Sequence, residues 1–297
     1  MKEILENDLL KVVIDHHGAE IVSLYDKENE REILWQAEEP FWQRQSPILF
    51  PVIGRSHTGE YRYQGISYEA IQHGFAKDKE FECVDYTDTF VDFLLVSDEK
   101  TIRYFPYAFE FHITFRLEGR SVLVSWKVEN ISRDTMYFAI GGHPGFNVPI
   151  LPNTKQTDYY LLFKKGPVLK YRQVHDDGGT IDMTKEYDLK LEEAGEYYRC
   201  HFTEHMFDND ALVFDDGQFD WVGIGYPDGT PYVGMDCAGF TNFGIWTMPG
   251  GPYICLEPWM GRCDDYGFTG DITEKRDMIA LEAGDIFKQN YKMTLYK

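Results

Sequence analysis

Hydrophobic and polar residues alternate with a period of two along much of this chain. Within residues 109–117 the odd-numbered positions are Phe, Phe, Ile, Phe and Leu, whereas the even-numbered positions are polar. A period of two places the two sets on opposite faces of a strand, so the segment predicts a half-buried β-strand. After the turn at 118–120, residues 122–128 alternate in the same way. The two segments together predict an antiparallel hairpin.

Short strands are predicted throughout the rest of the chain, separated by Gly, Asp, Asn or Pro. They cover residues 10–14, 90–96, 136–140, 211–214, 232–235, 253–256 and 291–295. Segments with a helical period are scarce. Only residues 38–44 and 203–207 have a pattern compatible with a turn or two of helix. No linker or repeat divides the chain, and the more polar region 154–195 is interpreted as a surface excursion. We therefore predict one all-β domain over residues 1–297, a large antiparallel β-sandwich.

Two long segments carry no formal charge. Residues 135–154 and 237–256 each span 20 residues, which is the length of a transmembrane helix. Both contain clusters of Gly and Pro that such a helix would not tolerate. They are interpreted as buried strands joined by tight loops.

Composition narrows the choice of partners and compartment. Lys and Arg number 29 against 50 Asp and Glu, so the net charge of -21 repels phosphate backbones and anionic lipid surfaces. Nucleic acid and membrane are therefore excluded as main partners. The acidic amino terminus lacks the basic start and apolar run of a secretory signal, which predicts a cytoplasmic protein. The 5 cysteines have no C-x-x-C spacing and are expected to be reduced and mostly buried.

Three ionisable residues lie in glycine-rich or apolar surroundings, where an ionisable side chain is a candidate for a functional role. His143 lies in the first uncharged segment, Glu257 closes the second, and His73 lies between Gln72 and Gly74. For any one histidine the alternative is a core imidazole that is hydrogen-bonded to backbone. Two imidazoles and one carboxylate together suit a reaction in which one proton leaves the substrate while another arrives.

Other kinds of site lack their usual motifs. There is no G-x-S-x-G elbow for acyl transfer, and neither a Walker loop nor a strand-linked G-x-G-x-x-G for nucleotide cofactors. His201 and His205 match the H-x-x-E-H pattern of zinc proteases, but that pattern requires a sustained helix, which this region does not predict. No metal and no cofactor are expected.

Four short motifs, in order along the chain, carry a resemblance to a known family. They are Pro47-Ile-Leu-Phe-Pro-Val-Ile-Gly-Arg55, Gln72-His-Gly-Phe-Ala76, Gly141-Gly-His-Pro-Gly-Phe146 and Cys255-Leu-Glu-Pro-Trp259. The sequence resembles the aldose 1-epimerase (galactose mutarotase-like) family, most closely its lactose-operon-associated branch. The resemblance implies a β-sandwich of the supersandwich type with a sugar site in a cleft on the concave face of one sheet.

The resemblance also implies roles for individual residues. Glu257 would be the general base that takes the C1 hydroxyl proton of a pyranose, and His143 the acid that protonates the ring oxygen. His73 and Arg55 would hold the substrate. The ring would open, rotate about C1–C2 and close as the other anomer, without a cofactor.

Two further residues are expected to contact the sugar. Asp208 resembles the family's hydroxyl-binding aspartate, although Asp210 is only two residues away, and a loop or capping role is the alternative. Trp246 is a candidate for stacking on a sugar face, with core packing as its alternative.

The sequence departs from the family pattern at two glycines, and this leaves the substrate open. Gly142 precedes His143 and Gly54 precedes Arg55, where galactose mutarotases proper usually have asparagine. A related branch acts on hexose 6-phosphates, which need a cluster of cations. Only Arg55 lies within the motifs, so a free aldohexose is predicted, although Lys77 and Arg262 are near in sequence.

Two functions of other classes remain as alternatives. One is a catalytically silent carbohydrate-binding or sensor protein on the same scaffold, because a fold does not prove turnover. The other is a glycosidase that uses Asp208 and Glu257 as its two carboxylates.

Overall fold

The structure, a computed structural model, describes residues 1–176 and 178–297 and consists almost entirely of β-strands. The strands of the first half are β1 (Lys2–Glu6), β2 (Leu10–Asp15), β3 (Glu20–Asp26), β4 (Arg31–Glu32), β5 (Ile48–Leu49), β6 (Glu60–Tyr63), β7 (Ile66–Glu69), β8 (Glu82–Thr87), β9 (Phe90–Val96), β10 (Phe109–Glu118), β11 (Ser121–Asn130), β12 (Met136–Phe138), β13 (Ile140–Gly142) and β14 (Gly145–Asn147). The strands of the second half are β15 (Tyr160–Phe163), β16 (Val168–Gln173), β17 (Tyr187–Lys190), β18 (Glu192–Ala194), β19 (Tyr197–His201), β20 (Leu212–Phe214), β21 (Trp221–Gly225), β22 (Pro231–Asp236), β23 (Asn242–Trp246), β24 (Tyr253–Met260), β25 (Ile279–Leu281) and β26 (Ile286–Leu295). One short helix, α1 (Glu99–Ile102), and three 3₁₀ turns (Ala76–Asp78, Gln156–Asp158 and Ile272–Glu274) complete the described elements.

Two large antiparallel sheets dominate the architecture. The ten-stranded sheet has the order β18-β19-β15-β21-β22-β26-β11-β10-β9-β8. The eight-stranded sheet has the order β17-β16-β20-β23-β24-β13-β5, and β14 also pairs with β24. Strands β1–β4 form a smaller sheet, and β6-β7 and β12-β25 form two-stranded ribbons. The prediction of an all-β antiparallel sandwich is confirmed.

A shared hydrophobic core joins the two large sheets. The odd-numbered residues of β10, from Phe109 to Leu117, are buried in it, as the period of two predicts. The inward residues of the eight-stranded sheet, such as Phe214 on β20, belong to the same cluster. Phe163 on β15 lies with its ring centroid 6.2 Å from that of Phe214, so the inner faces of the two sheets meet directly.

The predicted hairpin is present with the predicted register. β10 pairs with β11 from Phe109 opposite Asn130 to Glu118 opposite Ser121, and Gly119 in the turn has a φ of 58°. Glycine adopts this left-handed conformation without the steric cost that a Cβ brings, which explains the glycine at this turn.

Residues 38–44 and 203–207, where a turn or two of helix was possible, contain no helix, although 203–207 forms hydrogen-bonded turns in which the backbone N–H of Met206 donates to the carbonyl of Thr203. The one described α-helix lies instead at α1, capped by Asp98. Pro40 removes a backbone donor from the first segment. The backbone N–H groups of Gln45 and Ser46, just beyond it, donate to the carboxylate of Glu20 rather than to a preceding turn.

The two uncharged segments are buried strands, as predicted: β12, β13 and β14 lie in the first, and β23 and part of β24 in the second. Among the described residues, no helix has the length and apolar character that crossing a membrane requires. All five cysteines are free thiols, and Cys237, Cys255 and Cys263 are buried.

That residues 1–297 form a single domain stays a prediction. The pairing of β26 with both β11 and β22 in the ten-stranded sheet supports it.

Candidate active site

Strand β24 has two buried faces, and only one of them belongs to the shared core. Ile254 and Leu256 point into the cluster between the sheets. Because side chains alternate along a strand, Tyr253, Cys255, Glu257 and Trp259 lie on the opposite face, where Tyr253, Cys255 and Trp259 belong to separate small clusters. That outer face of the eight-stranded sheet is the floor of a cavity.

The cavity has a volume of about 540 Å³. Small-molecule sites commonly occupy about 300–1,000 Å³, so it has the size of a binding site for a sugar-sized ligand. Five of the six residues that the sequence analysis singled out line it. These are Arg55, His73, His143, Trp246 and Glu257.

Strand pairing explains why His143 and Glu257 meet. On one side of the site Gly141 of β13 pairs with Trp259, and on the other side Gly145 of β14 pairs with Cys255. Both pairs follow the same register along β24, and the interrupted ladder between them leaves His143 opposite Glu257. Nε2 of His143 lies 3.2 Å from Oε2 of Glu257.

The protonation of this pair is strongly perturbed. Both side chains are almost fully buried, His143 at 6% and Glu257 at 2% exposure. Burial raises the pKa of Glu257 well above its usual range, and the nearby carboxylate of Asp210 adds to the rise. Burial lowers the pKa of His143 well below its usual range, and the neighbouring His73 adds to this effect. Both shifts disfavour the charged forms.

An aromatic wall that the sequence analysis did not predict encloses His143. The indole of Trp42 stacks on the imidazole with centroids 4.5 Å apart and planes at 27°. Trp246 approaches the same imidazole edge-on at 5.7 Å. The carbonyl of Trp42 accepts a hydrogen bond from the indole of Trp35, which fixes the loop. The two indoles therefore exclude water from His143.

His73 is held by a reciprocal pair of contacts with Gly54. The backbone N–H of His73 donates to the carbonyl of Gly54. In return, the backbone N–H of Gly54 donates to the ring atom Nδ1 of His73 at 3.2 Å. Because Nδ1 accepts, the proton of the neutral ring is on Nε2. Burial lowers the pKa of His73 to about 3, with the charges of Lys77 and Arg55 acting in the same direction. His73 is thus a neutral hydrogen-bond donor at neutral pH.

The backbone around His73 depends on the next residue being glycine. Both His73 and Gly74 have positive φ, at 61° and 71°. A Cβ on Gly74 would overlap the carbonyl group of Phe50. The Gln72-His73-Gly74 motif therefore requires glycine for conformational and steric reasons, and it places the imidazole in the cavity.

Arg55 lies at the cavity entrance. Its Nε donates to Oε1 of Gln72 at 3.1 Å. Gly179 packs so closely on the arginine stem that a Cβ there would be 2.5 Å from Cδ of Arg55. The guanidinium is exposed at one edge of the site, where it can reach ligand hydroxyls.

The structure places Asp208 outside the cavity and Asp210 in its lining. Asp208 accepts a hydrogen bond from His205 at 2.8 Å, and both side chains point to solvent. The chain turns between the two aspartates, and Asp210 has a φ of 68° that redirects it toward the cavity. Loss of hydration raises the pKa of Asp210, and Arg55 opposes that rise.

Two more cations, Arg44 and Lys77, line the cavity, but their charges are largely compensated. Arg44 forms ion pairs with Glu20 and Asp78. Lys77 pairs with Asp78 at 3.0 Å and donates to the carbonyl of Gly74 at 2.6 Å. Arg262 lies elsewhere, fully buried against Asp215 and Asp265.

Two groups of possible metal ligands can be compared. His201 lies on strand β19, with its ring centroid 3.9 Å from that of Tyr160. His205 is hydrogen-bonded to Asp208. The H-x-x-E-H pattern is therefore not on a helix. Among the described residues, the group that brings ligand atoms together is His143, Cys255 and Glu257, within 4.8 Å of one another. That group includes His143 and Glu257, the two side chains for which the sequence analysis predicts acid and base roles.

The family is shown by comparison with known proteins. The family model described as aldose 1-epimerase matches residues 3–180, more than half of the chain. This chain belongs to the aldose 1-epimerase family.

Full-length relatives agree with that assignment. A galactose mutarotase related enzyme from Lactobacillus acidophilus is 31% identical, and the alignment covers 100% of this chain and 98% of that one with a TM-score of 0.91. A galactose mutarotase-like protein from Lactobacillus casei is 27% identical, with 100% coverage of both chains and a TM-score of 0.89. The protein LacX of Lactococcus lactis subsp. lactis is 26% identical over 298 residues, 98% of each chain.

Proposed function

We propose that this protein is an aldose 1-epimerase that interconverts the α and β anomers of a free aldohexose. The observation that carries the proposal is the buried pair of His143 and Glu257, 3.2 Å apart in a sugar-sized cavity. An acid and a base in contact are what ring opening of a hemiacetal requires, and mere binding does not need them.

The reaction follows from proton transfers at two substrate oxygens. Ionised Glu257 takes the proton of the C1 hydroxyl while protonated His143 gives its proton to the ring oxygen, and the C1–O5 bond breaks. The open-chain aldehyde rotates about C1–C2 and presents its other face. His143 then takes back the proton of the C5 hydroxyl, O5 attacks C1, and Glu257 returns its proton to O1. Both residues finish in their starting forms.

The pKa shifts suit these roles. A carboxyl with a raised pKa is a stronger base once ionised, and an imidazolium with a lowered pKa is a stronger acid once protonated. The charged pair and the neutral pair carry the same single proton, which is on His143 in the first and on Glu257 in the second. Burial therefore makes the charged form scarce but reactive.

Four neighbouring side chains would orient the sugar. Nε2–H of His73 donates to a substrate oxygen beside the acid/base pair, because its Nδ1 is occupied by Gly54. Arg55 and Asp210 offer a charged donor and a charged acceptor for hydroxyl groups. Trp246, half-buried in the lining, supplies an apolar surface for the sugar face.

The preference for a free sugar rests on charge. Arg44 and Lys77 both pair with Asp78, so Arg55 is the lining cation that we assign to the ligand. A hexose 6-phosphate would bring about two negative charges to a protein of net charge -21. Of the alternatives, a glycosidase using Asp208 is not favoured, since that carboxylate lies outside the cavity.

Anomer exchange measured by NMR tests the proposal. We expect the protein to accelerate exchange of glucose or galactose without added metal or cofactor. The same panel should include glucose 6-phosphate and galactose 6-phosphate. A kcat/KM about tenfold higher for a 6-phosphate, fading at high salt, would contradict the preference for free sugars. Binding without any exchange would instead indicate a carbohydrate-binding protein.

The pH dependence provides a second test. Activity should fall as pH drops through the lowered pKa of His143, when the pair gains a second proton, and fall again as pH rises through the raised pKa of Glu257, when the pair loses its proton. We expect kcat/KM to be flat through neutral pH, without a limb near about 6.5, the ordinary histidine value.

A Trp42→Ala variant provides the internal control for this profile. Removing the stacked indole admits water to His143, so its pKa rises and the acid limb should move to higher pH. A limb near the ordinary histidine pKa that does not respond to Trp42→Ala would show that another group controls the profile.

A further inference from the structure

The indole of Trp259 is buried in the cavity floor, and the reaction described above gives it no role. It lies two residues beyond Glu257 on the same face of β24, lines the cavity and is 5% exposed. Two glycines flank it. A Cβ on Gly141 of β13 would be 2.6 Å from its Cδ1, and a Cβ on Gly244 of β23 would be 2.4 Å from its Cζ2. The ring therefore spans β24 from one neighbouring strand to the other.

This packing directs the N–H edge of the indole toward Glu257. Nε1 lies between Cδ1 and Cζ2 along the ring, on the edge that contacts the two glycines. Gly141 is the cross-strand partner of Trp259 itself, whereas Gly244 is the partner of Glu257. The ring thus extends from its own position on β24 back to the level of the carboxylate.

The indole N–H and the carboxylate are both buried without a completed hydrogen bond. Among the described residues, neither Nε1 of Trp259 nor Oε2 of Glu257 has a partner at the distance and angle of a hydrogen bond. Buried polar atoms are rarely left in this state without a functional reason. Because an N–H donor binds a charged acceptor more strongly than a neutral one, ionisation of Glu257 would draw the two groups together.

The electrostatics around Glu257 agree with such a contact. Burial raises the pKa of the carboxyl, the charge of Asp210 raises it further, and the indole of Trp259 acts in the opposite direction. The other ionisable groups beside Glu257 are His143, which has His73 behind it, and Cys255 on β24 itself. Strand β23 contains no ionisable residue. The indole N–H therefore offsets part of the cost of ionising a buried base.

We propose that Trp259 is a positioning residue for the general base: its indole N–H donates to the carboxylate of Glu257 when that carboxylate is ionised, and holds it facing the C1 hydroxyl of the sugar. This role rests on the proposed function, because it requires Glu257 to act as a base. The contact between indole and carboxylate does not, so the two can fail separately.

A Trp259→Phe variant removes the N–H and keeps an aromatic ring between the glycines. We expect kcat for anomer exchange to fall about 10- to 100-fold, the value of a hydrogen bond to a charged group, with KM within about twofold of wild type. Without the donor the pKa of Glu257 rises further, so the alkaline limb of the pH profile should move to higher pH. A higher KM with normal kcat and an unmoved limb would show instead that Trp259 is only a surface for the sugar.

Trp221→Phe is the matched control for lost packing. Trp221 is 4% exposed, and Cβ atoms on Gly223 and Gly234 would lie 2.6 and 2.5 Å from its six-membered ring. It belongs to the ten-stranded sheet and is not in the cavity lining. Thermal unfolding should show similar losses of stability in the two variants, whereas only Trp259→Phe should change kcat and the alkaline limb. Equal kinetic changes in both variants, or none in Trp259→Phe, would overturn the proposal.

NMR of the Trp259 indole N–H, assigned through the backbone of the wild-type protein, makes the test independent of turnover. Its resonance should move downfield as pH rises through the pKa of Glu257, because the acceptor becomes charged. In Glu257→Gln it should not respond, and the indole of Trp221 should respond in neither protein. The expected response in a protein that exchanges no sugar would reject the proposed function but support the contact. No response in wild type, or the same response in Glu257→Gln, would overturn the contact and with it the positioning role.

Discussion

Replacing Glu257 by glutamine should lower kcat/KM for anomer exchange by about 10²- to 10⁴-fold, the range for loss of a positioned proton-transfer group. Glutamine keeps the shape of the side chain but cannot take the C1 hydroxyl proton. His143→Gln should cause a loss of the same order, because the ring oxygen then has no acid. Since the two residues act as a unit, the double variant should be about as impaired as either single variant. NMR exchange rates with glucose and galactose provide the measurement.

Cys255→Ser is the matched control for these variants. Cys255 lies on the same face of β24 as Glu257 and is just as deeply buried, but the mechanism gives its thiol no role. We expect near-normal anomer exchange in this variant, with or without an added metal chelator. Near-normal rates in both Glu257→Gln and His143→Gln would reject the acid/base assignment. Loss of activity in Cys255→Ser, restored by added metal, would point to a metal reaction at the same three side chains.

Asp210→Asn should lower kcat/KM by about 10- to 100-fold, as expected for loss of a charged hydrogen bond to substrate. The substitution should also lower the pKa of Glu257, because the Asp210 carboxylate helps to raise it. The alkaline limb of the pH profile should therefore move to lower pH. Steady-state kinetics across pH measure both effects on one variant.

Asp208→Asn tests whether the effect belongs to position 210. The same chemical change is made two residues away, where the side chain contacts His205 and is solvent-exposed. We expect activity within about twofold of wild type, as for other surface substitutions. An equal loss of kcat/KM in the two variants, or a larger loss in Asp208→Asn, would contradict the assignment of the sugar contact to Asp210 and favour Asp208.

Sequence patterns predicted the sheets well because period-two alternation reports directly on a strand with one face in the core. The same alternation identifies Phe109 and its partners without knowledge of the pairing. Strand β24 is longer than predicted, since Glu257 and Pro258 continue it. A charged residue and a proline argue against a buried strand unless the strand lines a site.

The parts of the site that sequence did not predict depend on long-range placement. Trp42 lies in residues 38–44, where the sequence suggested at most a turn or two of helix, and only the tertiary fold stacks it on His143. A tryptophan beside Phe41 in such a segment was the available signal. The choice between Asp208 and Asp210 depended on a single left-handed residue in a turn, and no spacing rule reveals that conformation.

The proposed acid/base pair, His143 and Glu257, is positioned by main-chain pairing rather than by loops. β13 and β14 hold the same register against β24 on both sides of His143, so backbone hydrogen bonds set its separation from Glu257. Arg55, Gln72 and Asp210, by contrast, lie on connections between strands. If the proposed function holds, mutations in those connections would change which sugar is accepted while the distance between His143 and Glu257 stays constant. Such a division allows substrate range to diverge among relatives faster than the reaction itself.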